Sequence, residues 1–265
     1  MKFKTHLLSA LAFNFYLSIL LIKILLVIHH PHNAYEIVWT SSSDDTGALT
    51  FGMMQAFAIT TITLFAVVGI ETYGHSRIMV GDGFIAKRNK LHSPCIGSLF
   101  TLMGVIPIFL LVRLMALSDL ASNVNYTVGE WLELALASRA ELVLIAVSGI
   151  AAHMLHMLED SLTERGIYVF SFRERRFKRW TLIRDTYKYD DTTLNGLVMG
   201  VSAILFIVAF LISGLIVKLW TDNVYDADTL WDAYGYYYFT YLFFTILWML
   251  GGTKYQKYGW VKGND

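Results

Sequence analysis

An all-α polytopic membrane protein, a bundle of six transmembrane helices with both termini in the cytoplasm, is the fold class that three features of the sequence predict. The first is a set of six long apolar runs in the 265-residue chain, at about 7–28, 49–70, 96–117, 138–158, 197–219 and 234–250. Each approaches the roughly 20 apolar residues that a helix needs to cross a bilayer. The second is the placement of the 21 Lys and Arg residues: all but Lys23, Arg113, Arg139 and Lys218 lie in the N-terminus, the gaps after the second and fourth runs, and the C-terminus. Cationic loops stay on the cytoplasmic side, and the other three gaps carry Asp and Glu but no Lys or Arg. The third is composition, 55% hydrophobic with three prolines. Backbone groups in lipid must bond within a helix or a closed barrel, and these runs are too continuous for barrel strands. A single transmembrane domain over 1–265 is expected, and the net charge of zero is a sum over two faces.

The first run follows a basic start, Met1–His6, that resembles the beginning of a secretory signal. Its apolar stretch is longer than a signal core, and no small-residue cleavage site follows, so a retained span is expected. His29, His30 and His32 come next, with Glu36. They read as a solvated loop, or as a pH- or metal-responsive cluster. The second run carries Gly52 and Ala56 four apart, a spacing that lets membrane helices approach closely. It ends on Glu71 and His75. If the helix continues, these two share a face. Arg77, Lys87, Arg88 and Lys90 fill the cytoplasmic gap after it.

The third run contains Pro107 and Arg113. The fourth opens on Arg139 between Glu133 and Glu141. Ion pairing between these two spans, Arg113 with Glu141 or Glu133, is the simplest account of cations at membrane depth. An outer vestibule of a permease is the functional alternative. The fourth run is the least hydrophobic and carries His153 and His156, followed by Glu159 and Asp160. His153, His156 and Glu159, together with Glu71 and His75, are a candidate metal-binding set, since Glu and His on facing helices build bundle metal sites. A structural role is the competing reading.

Residues 159–195 form a basic cytoplasmic loop. Ile167–Phe172 is rich in β-branched and aromatic residues and reads as a strand. Arg173, Arg175, Arg176, Lys178, Arg179 and Trp180 follow, and basic plus aromatic residues beside a span suit anionic headgroups or a cytoplasmic protein partner. The fifth run holds Gly196 with Gly200 and Ala209 with Ser213. The sixth opens with Tyr234, Tyr236, Tyr237, Tyr238, Phe239 and Tyr241, an outer aromatic belt dense enough for some rings to meet protein. Tyr255, Tyr258 and Trp260 form the matching inner belt.

Several function classes find no support. There is no Gly-rich phosphate loop, no Asn-Pro-Ala pair and no Thr-Val-Gly-Tyr-Gly filter. Ser148 has no histidine in the sixth run to activate it. The single Cys95 excludes an intramolecular disulfide. Asn125-Tyr126-Thr127 has glycosylation spacing, close to the membrane. The sequence thus points to a non-enzymatic integral subunit, an anchor or scaffold of a larger multiprotein assembly such as an envelope secretion or transfer machine. The expected location is the bacterial cytoplasmic (inner) membrane. The expected partners are the bilayer, anionic lipids and other membrane subunits, with no nucleic acid and no cofactor. A small-solute or ion permease and a membrane metalloenzyme are the alternatives.

Overall fold

The computed structural model describes residues 3–28, 45–80, 83–120, 139–163, 166–171, 174–182, 187–188, 191–221 and 237–251. These are mostly helical. The helices are α1 (Phe3–Ile28), α2 (Asp45–Tyr73), α3 (Pro94–Leu120), α4 (Arg139–Ser161), α5 (Thr192–Thr221) and α6 (Tyr237–Gly251). Over Met54–Tyr73, Pro94–Val112, Leu142–Ser161 and Thr192–Ala209, four of them are long and apolar enough among described residues to cross a membrane. Two antiparallel hairpins lie between helices. Strands β1 (His75–Val80) and β2 (Gly83–Arg88) join α2 to α3, while β3 (Ile167–Ser171) and β4 (Arg176–Trp180) follow α4.

The helix ends are set by local chemistry. Gly74 donates its N–H to Ile70 O at 2.7 Å, and a Cβ there would overlap that carbonyl and the His92 ring. Only glycine fits, and α2 stops. Ser93 Oγ accepts the Ile96 N–H at 3.3 Å with Pro94 in the first helical turn, a capped start for α3. Asp191 caps α5 in the same way, accepting the Leu194 N–H at 2.8 Å. Gly166 takes φ +57° at the entry to β3 and lies close against the Trp180 carbonyl, two demands that exclude a side chain.

Helix α1 packs on α2, α4 and α5, while α2 and α4 pack on each other and on α3. Neighbours alternate in direction. The start of α1, the end of α2, the start of α3, the end of α4 and the start of α5 therefore meet at one end, tied by Thr5 Oγ1 donating to Asn195 Oδ1 at 2.8 Å. Trp248 and Met249 near the end of α6 pack on Phe3, Leu7 and Leu11 there. Asn14 of α1 links three helices, donating from Nδ2 to Thr63 Oγ1 at 2.6 Å and to Ser148 O at 2.9 Å. Small residues supply the close approaches: a Cβ on Gly149 would meet Ile62 at 2.8 Å and Thr101 at 3.0 Å.

Three rings of the dense aromatic segment that opens the sixth run meet protein. Tyr237, Tyr238 and Tyr241 are buried around Phe15, with Tyr241 donating to Leu11 O at 2.8 Å and Tyr237 bonding Ser18 at 2.6 Å. The hydroxyls of Tyr237 and Tyr241 find side-chain and backbone partners inside the bundle, which lets these rings pack as core. Helix α5 is peripheral: 22% of its apolar window is buried, against 61% for α2.

Two glycines separate packing from propensity. A Cβ on Gly97 would meet Leu91 O at 2.5 Å and the His153 ring, whereas one on Gly196 meets nothing within 4 Å. Gly97→Ala should cost about 1–3 kcal/mol by overpacking and lower the thermal midpoint in detergent. Gly196→Ala should hold or raise it, since alanine favours the helix by about 1 kcal/mol. Equal midpoints for the two variants would contradict the α3–α4 contact.

Candidate functional site

The end where five helix termini meet holds a buried cluster of histidines and carboxylates. Asp160, one residue before the end of α4, is its centre. Its Oδ1 accepts from Arg88 Nη2 at 2.6 Å and lies 3.2 Å from His6 Nε2. Its Oδ2 lies 3.4 Å from His156 Nε2 and 3.5 Å from His92 Nε2. Glu159 accepts from His6 Nδ1 at 2.6 Å. Glu71 Oε1 lies 3.6 Å from His156 Nε2 and 3.9 Å from His6 Nε2. The His6 and His156 rings stack in parallel, 4.0 Å apart and 6° from coplanar. The side chains of His6, His156, His92 and Asp160 are 0% exposed, while Glu71 keeps 14%.

The two hairpins close this end. Arg88 at the end of β2 also donates through Nη1 to Gly166 O, the residue that opens β3. Tyr168 N donates to His92 O, and Leu182 N to Ser161 O, each at 2.8 Å. Ile167 packs on Ile70 and Met157 beneath. Arg88 therefore anchors β2 to α4 by charge and to β3 by a backbone bond.

Hydrogen bonds fix two ring tautomers. Glu159 is an acceptor when ionised, so His6 Nδ1 carries the hydrogen between them. His92 Nδ1 lies 3.0 Å from Gly74 O, a carbonyl that only accepts. In the neutral rings both Nε2 atoms then bear lone pairs, and both face Asp160. His6 Nε2 and both ring nitrogens of His156 are buried with no hydrogen-bond partner. Glu71, Glu159 and Asp160 gather their carboxyl groups here with the Arg88 guanidinium beside them.

The sequence-derived candidates divide. Glu71, His156 and Glu159 come together here. His153 turns toward α3 instead, with Nε2 bonding Ser93 O at 3.1 Å. His75 does not continue the Glu71 face, because α2 ends at Tyr73 and His75 opens β1. Its side chain is outside the described residues, as are those of Arg113, Arg139 and Glu141. Glu133, Arg173, His29, His30, His32, Asn125, Tyr126, Thr127, Tyr234, Tyr236, Tyr255, Tyr258 and Trp260 also lie outside them. In the second hairpin Arg175, Arg176, Lys178, Arg179 and Trp180 are exposed, and Ile167–Ser171 is the strand its composition predicts. Glu174 takes up two of those cations, since bonds from Lys178 and then Arg176 hold its carboxyl below the usual range.

His6, Arg88 and His92 were not among the candidates. Depth counting could have found His6, because alternating helices place residue 6, Glu71 and Asp160 at the same end. Arg88 and His92 act across long sequence separations that no local pattern reports. Among the described residues, His6, His156 and Asp160 bring ligand atoms within 4.8 Å of one another. Comparison with protein-family models, curated proteins and solved structures gives no match.

Removing one partner of a buried ion pair leaves the other charge uncompensated, at a cost of about 3–5 kcal/mol. Asp160→Ala should therefore lower the thermal midpoint in detergent markedly. Combining it with Arg88→Met should recover part of the loss. A single variant as stable as the parent would show that the pair does not form.

Proposed function

We propose that this chain is a non-enzymatic integral membrane subunit that crosses a bacterial cytoplasmic membrane six times, keeps both termini in the cytoplasm and seats against another protein of a larger assembly. The outward face of α5 is the observation that carries this reading. Gly196, Gly200, Ile204, Ile207 and Leu211 fall on one stripe and are exposed. A Cβ at either glycine would meet nothing within 4 Å. Other small residues, such as Gly97, Gly104 and Gly149, are used inside the bundle. Glycine weakens a helix by about 1 kcal/mol relative to alanine, and a membrane helix recovers that cost when a second helix packs against the gap.

The sealed state of the histidine and carboxylate cluster supports the non-enzymatic part, because a catalytic centre keeps an open position for substrate. The charge asymmetry of the loops supports the orientation. Both hairpins, with their basic residues, lie at the end that this orientation puts in the cytoplasm. Exposed Arg175, Arg179 and Trp180 suit anionic headgroups.

Two measurements test the proposal. In a Cys95→Ser background, Gly200→Cys carrying a photo-crosslinker should capture a protein other than this chain, and mild extraction should give a particle larger than the 30.1 kDa chain. Gly200→Leu should abolish that association without lowering the thermal midpoint. A lone chain with crosslinks only to lipid would end the subunit reading. For orientation, a cysteine at Arg176 should resist a membrane-impermeant maleimide in intact cells and react after lysis; labelling from outside would invert the topology.

A further inference from the structure

We infer that the cluster at the closed end of the bundle is a binding site for one divalent transition-metal ion of zinc-like character, held by His6 Nε2, His156 Nε2 and Asp160, with Glu71 completing the set. The proposal goes beyond the subunit reading and does not depend on it.

Charge supplies the first reason. Three carboxylates, Glu71, Glu159 and Asp160, meet the Arg88 guanidinium in a site where His6, His156 and Asp160 are 0% exposed, and oxygens gathered away from water attract a cation.

The tautomers supply the second reason. Glu159 bonds His6 Nδ1 at 2.6 Å and so directs the Nε2 lone pair inward, toward Asp160 Oδ1 at 3.2 Å. A lone pair facing a carboxylate is repulsive unless a proton or a metal ion lies between them, and the metal uses both atoms as ligands. A carboxylate on the outer nitrogen of a ligating histidine is the usual support in metal sites. His156 points Nε2 at both Asp160 and Glu71, and neither of its buried nitrogens has a hydrogen-bond partner.

Spacing supplies the third. Metal–ligand arms of about 2.0–2.1 Å in a tetrahedron separate the ligand atoms by about 3.4 Å, whereas adjacent ligands of an octahedron with such arms lie about 2.9 Å apart. The separations are 3.2 Å from His6 to Asp160 Oδ1, 3.4 Å from His156 to Asp160 Oδ2, and 3.6 and 3.9 Å from the His156 and His6 rings to Glu71 Oε1. They lie around the tetrahedral edge, and a turn of the Asp160 carboxylate presents one oxygen to both rings. Imidazole nitrogen with carboxylate oxygen suits zinc and its neighbours over magnesium or calcium. An imidazole binds a metal in its ring plane, so one ring of the parallel pair tilts when the ion is shared. Ligands from α1, α2 and α4, three of them 0% exposed, make the ion structural.

The test uses the full chain purified in detergent through a tag without histidines. Elemental analysis should find about one zinc-class ion per chain. After chelation, Zn2+ should restore one equivalent and raise the thermal midpoint, and Mg2+ should not. Co2+ should give the intense visible bands of a tetrahedral site. His6→Asn and His156→Asn should each lower Zn2+ affinity at least 100-fold, and Glu159→Gln about 10-fold, in line with outer-shell losses of 10–100-fold. Metal content well below one equivalent, with no uptake after chelation, would overturn the proposal. So would Zn2+ binding undiminished in the two histidine variants, which would place the ion elsewhere. If those variants do not fold, the parent's metal content and its cobalt spectrum decide.

Discussion

A carboxylate removed from water is stable only where cations or donors surround it, and the end of this bundle where the helix termini meet is organised around one, Asp160. The effective penalty for burying such a charge is several kcal/mol, so its partners are obligatory. Arg88 supplies the charge, and its backbone then fixes where β2 ends. The same guanidinium holds Gly166 O, so the second hairpin is positioned from the first. His6, His92 and His156 approach the remaining oxygen faces, which brings the first turn of α1 and the start of α3 to the end of α4. A single titratable residue thus links the start of α1, the approach to α3 and the end of β2 to the end of α4.

Elsewhere the bundle is held by different forces. Helices surrounded by lipid tails gain little hydrophobic drive to associate, and their interhelical hydrogen bonds average only about 0.6 kcal/mol each. Close packing supplies most of the rest. Gly149 admits Ile62 and Thr101 to van der Waals distance, and Gly104 admits the Phe65 ring. The rings of Phe15, Phe206, Tyr237, Tyr238 and Tyr241 fill the space among α1, α5 and α6. Such packing tolerates sliding by a turn more readily than a charge network does. Asn14, bonded to α2 and α4 together, and the cluster at the end restrict the register that packing alone leaves loose.

What the sequence disclosed follows the range of the forces involved. Apolar runs are local, so the helices lie within a few residues of the expected spans, and Ile167–Ser171 is a strand as its composition indicates. Helix breaks are local too, but the close approach that requires glycine at position 74 involves His92, 18 positions away, and the break there puts His75 in β1 and not in the helix that carries Glu71. The tyrosines of α6 could not be assigned from composition, because an interfacial ring and a core ring with a bonded hydroxyl are the same residue. Glu71, His156 and Glu159 were legible as titratable groups at one depth. Their convergence with His6, Arg88 and His92 was not, since it joins positions up to 153 apart in the chain.

Helix α1 relates the closed end to the exposed flank. Its first turns carry His6 into the cluster and Thr5 to Asn195 at the start of α5, while Leu7 and Leu11 pack under Trp248 and Met249 of α6. A displacement of α5 large enough to matter would therefore be felt by the helix that supplies one of the proposed ligands. Asp160 and both histidines are buried beside the hairpins, which Arg88 ties together through Gly166 O, while Tyr168 ties β3 to His92. An ion held there would exchange slowly. An ion bound that way suits a rivet set during folding, and a rivet at the root of α1 would stiffen the platform on which α5 presents its glycine face. Buried chemistry at one end and an open packing surface along the flank are complementary features in the scaffold role proposed above.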